Sequence, residues 1–282
     1  MKHFILSGLI LALLFTALFI SCNNEVQSSS NFDVLKTSEI LKENGNIHNS
    51  GLDYIKNNAL KTNNKCTQQY IGEVLGKYVR SIYDKDEANK IIQEIVPVQK
   101  QVFKHIPSLS QTRSSNSTNM AMFATNESMN KIKQHLASFS NDEVFDNKKL
   151  LDDLHLLICQ TYEIYVKKCN SNDEKQALAQ SLGVLYGSIE YWTNSENVEF
   201  WSKYKMKENE KLSSKNLFNT RGKGNKDKDK DKDKDKKLSR KEYIEVVAAA
   251  DVAGSYLGAG IASAPAAVAA SAAAALYFDV KD

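Results

Sequence analysis

The chain has 282 residues, a formal net charge of +3 and a quarter of its residues charged, a balance that gives no electrostatic case for a nucleic-acid partner. Three prolines and twelve glycines suit long helices better than a many-stranded sheet. The four cysteines form no CxxC and no Cys/His pair, which leaves a zinc site without support, and no cofactor fingerprint is present.

Met1-Lys2-His3 is a short basic opening, and Phe4 to Ile20 is an uncharged apolar run. Together they have the form of a secretory signal over residues 1–21. The run ends Leu18-Phe19-Ile20-Ser21-Cys22, with a small residue directly before a cysteine. This ending resembles the lipobox of bacterial lipoproteins, with Phe19 where Leu is usual. The resemblance implies lipidation of Cys22 and an exported, membrane-anchored protein, facing the periplasm or set in the outer membrane. Ordinary cleavage near Ala17, or retention of the run as a spanning anchor, are the alternatives. Residues 22–30, rich in Asn and Ser, then act as a polar tether.

Residues 31–205 carry helical periodicity throughout and are expected to form an irregular all-α bundle of about six to eight helices. Phe32, Leu35, Ile40 and Leu41 mark a short helix that ends at Asn44-Gly45; Ile47, Leu52, Ile55 and Leu60 mark a second. A third carries Ile71, Val74, Leu75, Tyr78, Val79 and Ile82. The next has Ile91, Ile95, Val98, Val102 and Ile106 as its stripe, with a kink expected at Pro97. Pro107 to Thr125 reads as a mobile loop. Helices follow over Glu127–Phe139, around Leu150–Tyr165, from an Asn172 cap through Leu178–Ile189, and over Glu196–Tyr204.

Residues 206–240 have almost nothing to bury. The alternation of Lys and Asp from Lys226 to Lys236 puts like charges at i and i+4, which disfavours a helix, and the segment reads as a charged linker. Residues 241–282 change character, and Asp251 is the single charge between Val246 and Phe278. Small residues recur at Ala250, Gly254, Gly258, Ala262, Ala266, Ala270 and Ala274, a packing face that lets another helix approach closely. Pro265 divides the segment into a hairpin of about Tyr243–Ser263 and Ala266–Phe278. Over this tail alone, the spacing resembles the glycine-zipper hairpins of small secreted pore-formers and bacteriocin-like peptides. Two outcomes stay open: membrane insertion or self-association through residues 241–282, or packing against the bundle. The weak hydrophobicity of Ala and Gly favours packing.

Candidate chemistry is sparse. Asp152, His155 and Cys159 share one helix face, in the style of a Cys/His pair, but Leu151, Leu154 and Ile158 surround them and a boundary histidine beside a core thiol is expected. Cys159 and Cys169 lie ten residues apart on one helix, about 15 Å of rise, beyond disulfide reach. Cys66 with Cys169 is the better pair. Asp231, Asp233, Asp235 and Glu242 mimic EF-hand spacing, but Lys236 stands where the loop needs Gly. His48-Asn49-Ser50-Gly51-Leu52-Asp53-Tyr54-Ile55 is similar to a segment of helical lipoproteins from Bacteroidota-type bacteria, some with Ala/Gly-rich tails; the likeness implies no particular activity. Asn49 or Ser50 would cap a helix there, with His48 and Asp53 as a polar anchor near its start. The expected function is a lipid-anchored envelope protein with a helical binding or scaffold domain, neither catalytic nor cofactor-dependent. The second expectation is a membrane-active, toxin-like protein whose tail inserts.

Overall fold

A computed structural model of the chain describes residues 34–62, 68–109, 120–204, 237–257, 262–278 and 280. The signal, Cys22, the tether, Cys66, Gly258 and most of the charged linker lie outside the described residues. The fold is all-α. Its helices are α1 (Val34–Thr62), α2 (Gln68–Ile82), α3 (Lys85–Leu109), α4 (Met120–Ala137), α5 (Lys148–Val166), α6 (Asn172–Trp192), α7 (Ser195–Lys203), α8 (Arg240–Leu257) and α9 (Ser263–Tyr277). One 3-10 turn spans Asn141–Glu143. All described residues belong to one compact unit, Val34–Asp282.

The helix starts follow from local chemistry. Asp84 accepts from the backbone N–H of Asp86 and Glu87, both at 2.9 Å, at the head of α3. Ser171, not the expected Asn172, caps α6 by accepting from Glu174 N–H at 3.1 Å. Ser239 and Glu242 form a reciprocal box at α8: Ser239 N–H donates to the Glu242 carboxylate at 2.8 Å, and Glu242 N–H donates to Ser239 Oγ at 3.3 Å. Glu242, the last residue of the EF-hand-like spacing, is therefore engaged in capping.

Three boundaries differ from the sequence expectation. α1 runs unbroken through Asn44-Gly45, so Asn49 and Ser50 lie inside a helix and cap nothing. α3 continues past Pro97 and Pro107 to Leu109, and α4 begins at Met120, so both ends of the expected loop are helical and its residues 110–119 lie outside the described residues. Gly45 is small for a packing reason. A Cβ on Gly187 of α6 would sit 2.5 Å from Gly45 Cα, so the two backbones touch where α1 crosses α6. Gly187→Ala should therefore cost about 1–3 kcal/mol, because backbone cannot give way as a side chain does. Gly76→Ala is the contrast. Its Cβ would meet nothing closer than Arg80 Nη1 at 3.6 Å, so relief of helix-interior glycine should stabilise by about 0.5–1 kcal/mol. Urea midpoints of the two variants, read side by side, check the opposite signs.

The tail is where the fold departs most from a bundle with an appendage. Every residue of α9 from Ser263 to Leu276 is buried, and α9 packs against α1, α2, α3, α6, α7 and α8. An Ala-rich segment forms helix readily, and Pro265 falls in the first turn, where the missing N–H costs no hydrogen bond. A helix that is apolar all round belongs in a core. Here it is the centre of the unit. The expected small-residue face joins α8 to α9: a Cβ on Gly254 would meet Ala270 Cβ and the Ala266 carbonyl, each at 2.7 Å. Ala250, Ala262 and Ala274 of that face are fully buried as well. Among the described residues, no helix is long and apolar enough to cross a membrane.

Candidate functional site

The single charge of the tail determines what stands opposite it. Asp251 on α8 is fully buried, and so is His48 on α1, with His48 Nε2 3.3 Å from Asp251 Oδ2. Trp192 at the end of α6 donates its indole N–H to Ser271 Oγ on α9 at 3.0 Å and to Asp251 Oδ2 at 3.3 Å. Four helices thus meet through four polar side chains, each with no exposed surface. Around them, the Trp192 ring packs on Trp201 and Tyr243, at centroid distances of 6.2 and 5.8 Å.

A contact with Asn49 orients the His48 ring. Asn49 Nδ2 donates to Glu190 at 3.4 Å, which leaves Asn49 Oδ1 to accept from His48 Nδ1–H at 2.9 Å. His48 Nε2 lies 3.3 Å from Asp251 Oδ2 as an ion-pair contact, without the alignment of a hydrogen bond. Pairing of this kind is the condition under which two ionisable groups tolerate full burial. Within this network His48 Nε2 and Asp251 Oδ1 have no hydrogen-bond partner among the described residues, and neither has Ser188 Oγ on α6.

A second cluster takes up the residues singled out on α5. His155 stacks on Tyr186 of α6, rings 3.6 Å apart and nearly parallel, and its Nε2–H donates to the Tyr186 carbonyl at 3.2 Å. Burial pulls the imidazole down to about 4, against the opposing pull of that carbonyl and Asp152. The neighbouring Cys159 thiol is buried, and burial pushes it up to about 11, with Glu163 adding to the effect. A thiol so raised is no nucleophile at neutral pH. Asp152 is exposed and does not complete a triad.

The remaining candidates are dispersed. Cys169 carries a free thiol that donates to the Tyr165 carbonyl at 3.4 Å, and its expected partner Cys66 lies outside the described residues. Asp53 is not grouped with His48; burial raises its carboxyl, partly offset by Lys56 and by a hydrogen bond from Tyr191. Among the described residues, no group of three His, Cys, Asp or Glu side chains is arranged to hold a metal ion.

No family model, no curated protein and no solved structure matches the chain. The His48–Asp251–Trp192–Ser271 network went unpredicted as a site, although its signal was present: a lone carboxylate in an apolar helix must find a buried partner.

His155 gives a pH prediction. Its folded value lies below the unfolded 6.5, so between about 4 and 6.5 the unfolded chain holds a proton that the native chain refuses. The contribution is complete above pH 6.5 and is lost as pH falls, to a total of about 3 kcal/mol. His155→Phe keeps the stack on Tyr186 and removes the proton. Its stability, compared with the parent by urea unfolding at several pH values, should fall less steeply across that window.

Proposed function

We propose that this chain is a lipid-anchored protein of a bacterial envelope, held through Cys22, whose helical unit serves as a binding or scaffolding body rather than a catalyst. The observation that supports the scaffold reading is where the reactive groups sit. His48 and Asp251 are sealed at the meeting of four helices, and the Cys159 thiol is held protonated by burial. What the unit offers outward is helix surface. Support for the anchor is the basic opening, the apolar run and Ser21-Cys22. Several acyl chains on one residue hold a protein far more firmly than one, because each buried methylene contributes about 0.8 kcal/mol. Fractionation decides the anchor. The native chain should sediment with membranes and take up labelled fatty acid, and Cys22→Ala should do neither. An alanine variant that still sediments with membranes would mean that the lipid is not the only attachment.

The toxin-like reading has one observation in its favour, an apolar hairpin enclosed by other helices. Against it, α9 has 15 residues, about 22 Å of helix where a bilayer core needs about 30 Å. α8 carries Glu242, Glu245 and Asp251. Insertion would also break the Asp251 and Ser271 contacts to α1 and α6. The purified full chain should leave dye-loaded liposomes intact; rapid release would revive the toxin-like reading.

A further inference from the structure

Large exposed apolar side chains are common singly and need no explanation. Three of them here share one end of the unit. Leu35 opens α1 at 76% exposure, Phe123 lies near the start of α4 at 59%, and Ile164 near the end of α5 at 46%. Thr37 Oγ1 donates to Glu163 Oε1 at 2.5 Å, which ties the start of α1 to the end of α5. The Phe123 ring packs on Tyr165 at 5.7 Å between centroids, and the Tyr165 hydroxyl donates to Glu127, which ties α4 to that same end. Leu35, Phe123 and Ile164 therefore come from three helices that terminate together.

This is also the end at which the chain departs toward Cys22. The twelve residues from Cys22 to Asp33 span at most about 40 Å when fully extended. A lipid on Cys22 would keep the start of α1 within that distance of the bilayer, whereas Leu60 lies 25 residues further along the same helix, about 37 Å away. We propose that the end formed by Leu35, Phe123 and Ile164 is a membrane-contact surface, which seats the unit on the bilayer to which Cys22 is attached. The proposal rests on the lipid-anchor reading for its geometry. Its occupant is a lipid surface rather than a protein because the tether supplies that surface at high effective concentration.

Charge indicates the kind of contact. Lys36 beside Leu35 and Lys167 and Lys168 where α5 ends are exposed, but Glu39 is exposed one turn along α1, and Asp173 and Glu174 follow in the first turn of α6. The end is not a basic patch, so contact comes from apolar and aromatic side chains in the interfacial zone. It should need no anionic lipid and should survive added salt.

The test uses the chain from residue 22 onward with a histidine tag at its start, bound to phosphatidylcholine vesicles that contain a nickel-chelating lipid and brominated acyl chains. Leu35→Trp, Phe123→Trp and Leu60→Trp are compared, with the buried Trp192 and Trp201 emission of the parent subtracted; all three positions are exposed, and unchanged melting temperatures confirm folding. The added emission at 35 and 123 should be lost to bromine quenching, at low and high salt alike, and that at 60 retained. Equal quenching at all three positions, or quenching at none, overturns the proposal. Because the tag replaces the acyl group, this outcome is independent of fractionation of the native chain: a chain never lipidated at Cys22 would sink the anchor reading, while the tethered vesicles still decide the contact surface.

Discussion

A chain that ends before residue 237 is expected to lose cooperative folding altogether. Nineteen of the 53 buried apolar residues among the described ones lie between Leu238 and Leu276. Their removal would strip partners from helices that remain. Val184 and Ile47 pack on Ala264 and Ala267, Gly51 lies against Val268, and the Ala121 carbonyl loses the Tyr256 hydroxyl that donates to it at 2.9 Å. His48 would be left without Asp251. Domains have only about 5–15 kcal/mol to lose, and a single large-to-small core change can cost about 2–5 kcal/mol. Loss of more than a third of the buried apolar set far exceeds that margin. Residues 22–236 should therefore keep part of their helical circular dichroism, lose the near-ultraviolet signal of Trp192 and Trp201, bind a hydrophobic dye and unfold in urea without a sharp midpoint. A cooperative transition with native-like tryptophan signals would show instead that α8 and α9 are a docked appendage.

That prediction reverses the impression left by the linear sequence, for a reason visible in particular residues. The Lys/Asp alternation before Leu238 looks like a boundary because it has nothing to bury, and an abrupt change in composition reads as a new domain. Composition does not reveal that an Ala-rich helix with little hydrophobic weight per residue fits where larger side chains would not, at the centre of a tight bundle. Helical periodicity was legible wherever one face alone is buried, as in α2 with Ile71, Val74, Leu75, Tyr78 and Val79. It was also legible in the Gly254–Ala266–Ala270 strip, because four-residue spacing translates directly into close approach. The break expected at Gly45 failed because glycine marks both helix ends and backbone crossings, and only the partner, Gly187 on a helix far away in sequence, distinguishes them. The candidate site was legible only by half. Asp251 stood out as a lone charge, but its partners His48, Trp192 and Ser271 lie on three other helices, and long-range pairing leaves no local pattern.

The His48–Asp251 pair should show strong non-additivity. Asp251→Leu leaves a buried imidazole facing an apolar side chain, although Trp192 keeps Ser271 as acceptor at 3.0 Å. His48→Leu removes the imidazole from a buried carboxyl group that is left with the Trp192 indole, a donor at 3.3 Å. Each single change should cost about 3–5 kcal/mol, since each strands one buried polar group. The double change His48→Leu with Asp251→Leu strands neither and should cost much less than the sum, because replacing a buried pair by apolar groups is often near neutral. Urea unfolding of the four proteins at neutral pH measures the coupling; a double variant as unstable as the two singles combined would sink the account. Stability is not the only expected readout. Ala262, Ala266, Ala270 and Ala274 repeat every fourth residue, so a slip of α9 by four residues, about 6 Å, places alanine on alanine. Apolar packing alone discriminates weakly between those registers. Ser271 does discriminate, because only one register of α9 brings its hydroxyl to the Trp192 indole. Ser271→Ala, which removes that hydroxyl, should thus remain folded yet show more than one Trp192 environment, as split indole resonances or a weakened near-ultraviolet band. A single sharp indole signal in Ser271→Ala would assign the register to shape alone, to the Gly51–Val268 and Gly254–Ala270 contacts, and leave the Ser271 hydroxyl as a tolerated feature of the core rather than the group that positions its central helix.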